Sequence, residues 1–270
     1  MAAAAVDALA ASAHERWERD GFLLVPHPVL PPALLARASA AMDRVMAGEY
    51  ETGLPPHSVG WRPGEDELRL RKIDQPHLAD DTIFELFTHP ALGQWAAACC
   101  AGAETVQVYG TQLLYKPPGG GQTGHVGMHQ DMQYWRSQWL PGSEAFTITI
   151  ALTDVAGDGG AISFLRGSHR WTRGGDDHGV LLGPTADGGD AAPLGDFFSS
   201  DLQGHREALV ACAEAQGEVY EEVFAALPAG GLAVHHAKTF VSSRSSAPLF
   251  RAVLPSLPLC PPSLLLCLPL

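Results

Sequence analysis

The sequence predicts an α+β domain in which helices come first and a β-sandwich or barrel follows. The first hundred residues carry apolar positions at helical spacing, broken by prolines. From about Glu104 the texture changes to short runs of β-branched and aromatic residues between Gly/Pro turns. With 270 residues, 46% apolar and 17% charged, the chain is large enough for one sizeable core and is unlike a disordered segment.

Val6 to Arg19 reads as a helix, stopped by Asp20-Gly21. Phe22-Leu23-Leu24-Val25-Pro26 reads as a short buried strand. Pro31 and Pro32 open a second helix that runs to about Ala47. Gly48 to Asp66 is a loop broken by Pro55, Pro56 and Pro63, and Leu68 to Ile73 a strand. Asp80 to Ala101 reads as two short helices meeting at Pro90. Val106–Tyr109, Gln112–Tyr115, Phe146–Leu152 and Ala161–Leu165 are expected strands, with a Gly-rich loop over Pro117–Gly127. Residues 172–204 read as an irregular insertion, Ala208–Leu227 as a helix weakened by Gly217, and Gly231–Val241 as one strand. No internal repeat occurs. The expected organisation is one domain over residues 1–254, helical to about 103 and barrel-like from about 104. A Pro/Leu-rich tail follows over residues 255–270.

The composition excludes several classes. A net charge of −13 and no Lys/Arg cluster argue against a nucleic-acid partner. Five cysteines, 99, 100, 212, 260 and 267, with no CxxC pair, fit neither a disulfide framework nor a structural zinc site. Met1–Ser12 has no basic n-region, and no run of about 18 apolar residues occurs, so neither a signal peptide nor a membrane span is expected. The expected location is the cytoplasm. There is no nucleophile elbow, P-loop or dinucleotide fingerprint.

The chemistry is expected at Met128-His129-Gln130-Asp131. Residues two apart on a strand share a face, so the His129 imidazole and the Asp131 carboxylate can converge on one metal ion. The spacing alone is equally that of a strand with a polar face.

The surrounding residues narrow the choice. Tyr115-Lys116-Pro117-Pro118, the Gly-rich loop, His129-Gln130-Asp131 and Tyr134-Trp135 resemble the phytanoyl-CoA dioxygenase family. So does Gly159–His169, with Arg166 where the family has proline, and so do Asp20-Gly21-Phe22 and Leu70-Arg71-Lys72-Ile73. The resemblance covers about residues 15 to 252. It implies a double-stranded β-helix, a jelly-roll or cupin-like barrel flanked by N-terminal helices. It implies Fe(II) held by His129, Asp131 and a later histidine, with 2-oxoglutarate as co-substrate. Arg251 stands where the family's arginine pairs with the far carboxylate of that co-substrate, to which a guanidinium fork is suited. Lys72 matches a lysine that also contacts it, and Gln112, Thr149 and Ser243 fall at positions lining the same pocket. The reaction implied is hydroxylation of a small organic substrate by dioxygen, with release of succinate and CO2. The substrate would be an acyl-CoA, another lipid-like molecule or a secondary metabolite.

Two departures stand out. In the gapless match the third ligand position is Val241, and valine cannot bind iron. On one continuous strand His235 shares a face with Val241 but lies about 20 Å away, and His236 faces the other side. Both are expected to pack beneath the site. After Arg251-Ala252-Val253-Leu254 the chain turns Pro/Leu/Cys-rich, which reads as non-native sequence, such as a frame change, starting as early as Lys238. Two readings follow: an iron- and 2-oxoglutarate-dependent dioxygenase, or a catalytically impaired member that acts as a binding protein. A cupin-like module with another metal is disfavoured by the Lys72 and Arg251 anion pair.

Overall fold

The computed structural model describes residues 12–100, 106–118, 124–157, 160–183, 192–199 and 201–243, and the backbone of 250–258. Helix α1 is described over residues 12–20 and is followed by β1 (Phe22–Val25). Helix α2 (Pro32–Ala47) opens on Pro32 and ends at Gly48, as the sequence predicts. Then come β2 (Ser58–Val59), β3 (Arg71–Asp74), α3 (Asp81–Phe87) and α4 (Pro90–Cys99). The barrel strands are β4 (Gly110–Lys116), β5 (Val126–Gln130), β6 (Ala145–Ala151) and β7 (Ile162–Leu165), with α5 (Met132–Trp135) after β5. The pair β8 (Leu182–Gly183) and β9 (Ala192–Pro193) precedes α6 (Leu202–Gln216). Last are β10 (Glu222–Phe224), β11 (Leu232–His236), β12 (Phe240–Ser243) and β13 (Phe250–Pro258).

The large sheet runs β1-β11-β6-β13-β4-β3-β2 and the small one β10-β7-β12-β5, with antiparallel pairings throughout the described strands. This is the expected double-stranded β-helix. Strand alternation sorts the large sheet into two faces. Leu113, Phe146, Ile148, Ile150, Leu232 and Val234 face outward and pack against Trp17, Leu34, Met42, Val45, Ile83 and Leu86 of the helices. Fully burying each such side chain is worth about 1.5–3 kcal/mol. Their neighbours Leu114, Ala151 and Ala233 face the small sheet and meet Ile162, Phe164 and Val241. Among the described residues no helix is long and apolar enough to cross a membrane.

Several elements differ from expectation. Residues 231–241 are not one strand: the chain turns through Ala237-Lys238-Thr239, so β11 belongs to the large sheet and β12 to the small one. The helix expected to Leu227 starts earlier and ends at Gly217, whose φ of 77° is a left-handed cap. The strand expected from Leu68 begins at Arg71, and no separate strand forms over 106–109. β13 carries the sheet to Pro258, past the boundary expected at 254, while 259–270 lie outside the described residues.

The turn is held by a junction of motifs distant in sequence. The Gly21 carbonyl accepts from the His236 N–H (2.9 Å) and from the Thr239 hydroxyl (2.8 Å). Gly167 N–H donates to the Asp20 carbonyl, and Phe240 N–H donates to Ser168 Oγ. Arg166, at the position where the family has proline, binds Asp20 (2.7 Å) and Glu221 (2.9 Å), tying α1 to the segment before β10. Gly21 has φ 79°, and a Cβ there would lie 2.3 Å from His169 Nδ1. Gly21→Ala is therefore expected to cost roughly 2 kcal/mol or more in chemical denaturation, because strain and collision add.

The same junction makes stability depend on pH. Burial, assisted by His236 and Arg170, lowers the His169 pKa to about 4. The unfolded chain takes up a proton near 6.5 that the folded chain resists, so stability declines as pH falls from about 6.5 towards 4. Burial would raise the Asp20 carboxyl, but Arg19 and Arg166 outweigh it and hold it below its usual value, so its contribution is lost only at still lower pH. A melting temperature that falls between pH 7 and 4.5, with a shallower fall in His169→Asn, is the expected result.

Candidate metal and co-substrate site

The open end of the sandwich encloses a cavity of about 200 Å³. It collects His129, Asp131, Lys72, Gln112 and Ser243, five of the residues singled out from the sequence. His129 lies in β5, but Asp131 does not share its strand. The strand ends at Gln130, and Asp131 has helical backbone angles at the start of α5. The two side chains converge because the chain bends there, with His129 Nε2 and Asp131 Oδ1 3.3 Å apart.

Hydrogen bonding fixes the protons. His129 Nδ1 sits 2.8 Å from the Gly127 carbonyl, which can only accept, so Nδ1 carries the hydrogen. In the neutral ring Nε2 then presents a lone pair to the Asp131 carboxylate. A proton on Nε2 can bridge the two atoms, and in the neutral ring a cation can take that place. Ligands about 2 Å from one metal and at right angles to each other stand about 3 Å apart. The donor set therefore fits a metal held by His129 Nε2 and Asp131 Oδ1.

Asp131 Oδ2 is engaged separately. It accepts from the Thr147 hydroxyl (2.7 Å) and from His235 Nε2 (2.9 Å). Burial would raise the Asp131 carboxyl, but hydrogen bonds and charge from the His129 and His235 imidazoles in their protonated forms outweigh it and hold the group well below the usual carboxylate range, and a bound cation would take over the part played by the His129 proton. His235 is thus not remote from the site, because the turn at 237–239 brings β11 and β12 to facing walls of one cavity. Its Nε2 gives a proton to the carboxylate, and its Nδ1 is buried without a hydrogen-bond partner. His236 behaves as expected, bonded to Glu144 away from the cavity. Val241 pairs in register with His129, lines the cavity and offers it only methyl groups. Among the described residues no group of three His, Cys, Asp or Glu side chains is arranged to hold a metal ion.

The remaining expectations divide. The Lys72 ammonium lines the cavity but binds both Asp74 oxygens, at 2.7 and 3.0 Å. Thr149 is not part of the cavity wall. It lies one pleat along β6 from Thr147, with its hydroxyl buried and unpartnered. Arg251 is placed in backbone only, opposite Tyr115 in β13, and its side chain lies outside the described residues. Sequence reasoning missed Thr147, whose alternation with Thr149 marked the right face but not the right residue. It also missed Lys116, which is fully buried and donates to Ser243 Oγ.

A model of the phytanoyl-CoA dioxygenase family matches residues 17–247. The chain belongs to that family. No curated protein matches it in sequence. Solved structures of similar fold include SnoK, a non-haem α-ketoglutarate-dependent carbocyclase from nogalamycin biosynthesis. It is 22% identical with a TM-score of 0.63, over 94% of this chain and 85% of that one. AviO1 from Streptomyces viridochromogenes Tue57 is 21% identical, TM-score 0.60, over 94% and 95%. EctD from S. alaskensis, solved with 2-oxoglutarate and 5-hydroxyectoine, is 16% identical, TM-score 0.65, over 92% and 75%. At these identities the likeness is one of fold.

An aromatic mouth covers the His129–Asp131 pair. Phe197 lies 5.1 Å from the His129 ring and Tyr134 5.8 Å from it, while Phe198 stands 76% exposed at the rim. Gly127 makes this cover possible. A Cβ there would lie 2.1 Å from the Asp196 carbonyl, and the Gly127 N–H donates to Phe197 O. Gly127→Ala is expected to push residues 196–199 off the site, which chymotrypsin would read as faster cleavage at Phe197 and Phe198.

Proposed function

We propose that the chain is an Fe(II)- and 2-oxoglutarate-dependent oxygenase that acts on a small organic molecule. The observation that carries this reading is the buried His129 Nε2–Asp131 Oδ1 pair, two electron-pair donors that face each other at 3.3 Å. Family membership and neighbours solved with 2-oxoglutarate support it. His129 and Asp131 would hold the iron. The chemistry iron supplies there, with 2-oxoglutarate and dioxygen, is oxidation of an unactivated C–H bond, with succinate and CO2 released.

The chain's own residues set the conditions. Thr147 and His235 fix Asp131 through its second oxygen, leaving Oδ1 aimed at His129. Tyr134 and Phe197 pack edge-on against His129, and with Trp135 and the exposed Phe198 they form an apolar, flat-walled mouth, which suits a substrate with an aromatic or lipid-like face.

A second reading, a member impaired in catalysis, is favoured by Val241. A site with two protein donors holds a metal less firmly than one with three. The test is anaerobic titration with Fe(II) and 2-oxoglutarate, followed by the weak visible charge-transfer band and by retained iron. Val241→His is expected to raise metal affinity at least about tenfold, the scale on which ligand-shell changes act. His129→Ala and Asp131→Asn should abolish the band. A wild-type protein that shows no band and retains no iron, alongside a Val241→His variant that does both, would decide for the impaired reading.

A further inference from the structure

We propose that the outer face of the large sheet carries a second small-molecule site, between the start of β4 and α3, which takes a neutral, flat aromatic molecule bearing a hydrogen-bonding group. The site is independent of the oxygenase reading. A cavity of about 460 Å³ opens there, against about 200 Å³ for the His129–Asp131 cavity. The two lie back to back across β4, because Thr111 lines the outer one and its neighbour Gln112 the inner one. Leu78, Phe84, Phe87, Val108 and Tyr109 make the apolar walls. Leu78 is 41% exposed, Phe84 51% and Tyr109 40%, so three large side chains converge on one hollow and leave much of their surface in water. The fold gains little from that placement, whereas a flat guest would cover all three. The Tyr109 ring is held ready by edge-on contacts with Trp135 (6.0 Å) and Trp139 (5.1 Å).

The polar groups of the hollow define the guest. Gln75 is the one non-glycine among the described residues with a positive φ, 56°. Its ψ is 45°, in the left-handed region that glycine adopts without strain. A glycine would make the same turn into Pro76–Leu78, so the turn does not account for the side chain, which lines the hollow. His77 Nδ1 is 2.7 Å from the hydroxyl of the buried Thr111, which fixes the ring and leaves Nε2 as the nitrogen available to a guest. Burial lowers the His77 pKa, so the ring is uncharged at neutral pH. Among the described residues no Asp, Glu, Lys or Arg lines the hollow. An anion would find no cation there and would approach a chain of net charge −13. A cation would find no carboxylate. Aromatic walls with one amide and one neutral imidazole therefore select an uncharged ring system with a hydroxyl or carbonyl group.

Calorimetric titration of the full chain tests this with two probes. These are 2-naphthol, neutral at pH 7.5, and 2-naphthoate, which carries a carboxylate on the same rings. The wild type should bind 2-naphthol at least about tenfold more tightly than 2-naphthoate. Phe84→Ala should weaken 2-naphthol at least about fivefold, because apolar contact is lost. Phe198→Ala, at the mouth of the other cavity, should leave it unchanged. Gln75→Gly should weaken it about threefold, the loss of one neutral hydrogen bond, while the melting temperature stays level or rises as strain is relieved. If Phe84→Ala fails to fold by circular dichroism, Gln75→Gly decides. A wild type that binds no 2-naphthol, or that binds 2-naphthoate as well, overturns the proposal. So does a loss of binding in Phe198→Ala with none in Phe84→Ala, which puts the probe at the mouth. Unchanged binding in Phe84→Ala, with a shift in its oligomeric state by sedimentation, assigns the hollow to contact between copies of this chain and also overturns it.

Discussion

The geometry of the site depends on one turn, Ala237-Lys238-Thr239, and on the carbonyl that holds it. Gly21 O accepts from both ends of the turn, and that contact reverses the chain from the large sheet into the small one. Without the reversal, His235 and Val241 would lie far apart on one extended strand. With it they stand on opposite walls of a single cavity, His235 against the Asp131 carboxylate and Val241 against His129. The glycine is required because a side chain there would collide with His169 and Thr239. The Asp-Gly-Phe and Gly-Ser-His motifs are thus halves of one clamp, remote from the chemistry but controlling its geometry.

The asymmetry of Asp131 is the second organising feature. One oxygen faces an imidazole nitrogen that carries a lone pair, and the other receives two hydrogen bonds. The carboxylate is therefore oriented before any ligand arrives. The two histidines beside it hold opposite tautomers, set by the Gly127 carbonyl in one case and by the carboxylate itself in the other. His129 is the electron-pair donor and His235 the proton donor.

Much of this was legible in the sequence. The His-x-Asp spacing, the glycine motifs and the helices-then-strands order give the fold and the first two donors, and the gapless match gives Val241. The position of His235 was not legible. Ala-Lys-Thr contains no Gly, Pro, Asn or Asp, and the turn is stabilised by a carbonyl 218 residues away. A local pattern cannot carry such a contact. Thr147 and Thr149 are equivalent in alternation, and only the bend after Gln130 decides which of them meets Asp131. Lys116 lay within a quoted motif, yet a fully buried lysine has no sequence signature of its own.

The place of β13 bears on how the molecule is made. It lies between β4 and β6, which do not pair with each other among the described strands. Before β13 pairs, the described strands of the large sheet fall into two groups of three, β1-β11-β6 and β4-β3-β2, with no pairing between the groups. Each piece presents a long unpaired edge, the kind of surface that invites association with other chains. Assembly is consequently dominated by late, non-local pairing and should be slow for a chain of this size. Pairing of β13 therefore closes both exposed edges at once and joins the two groups into one sheet.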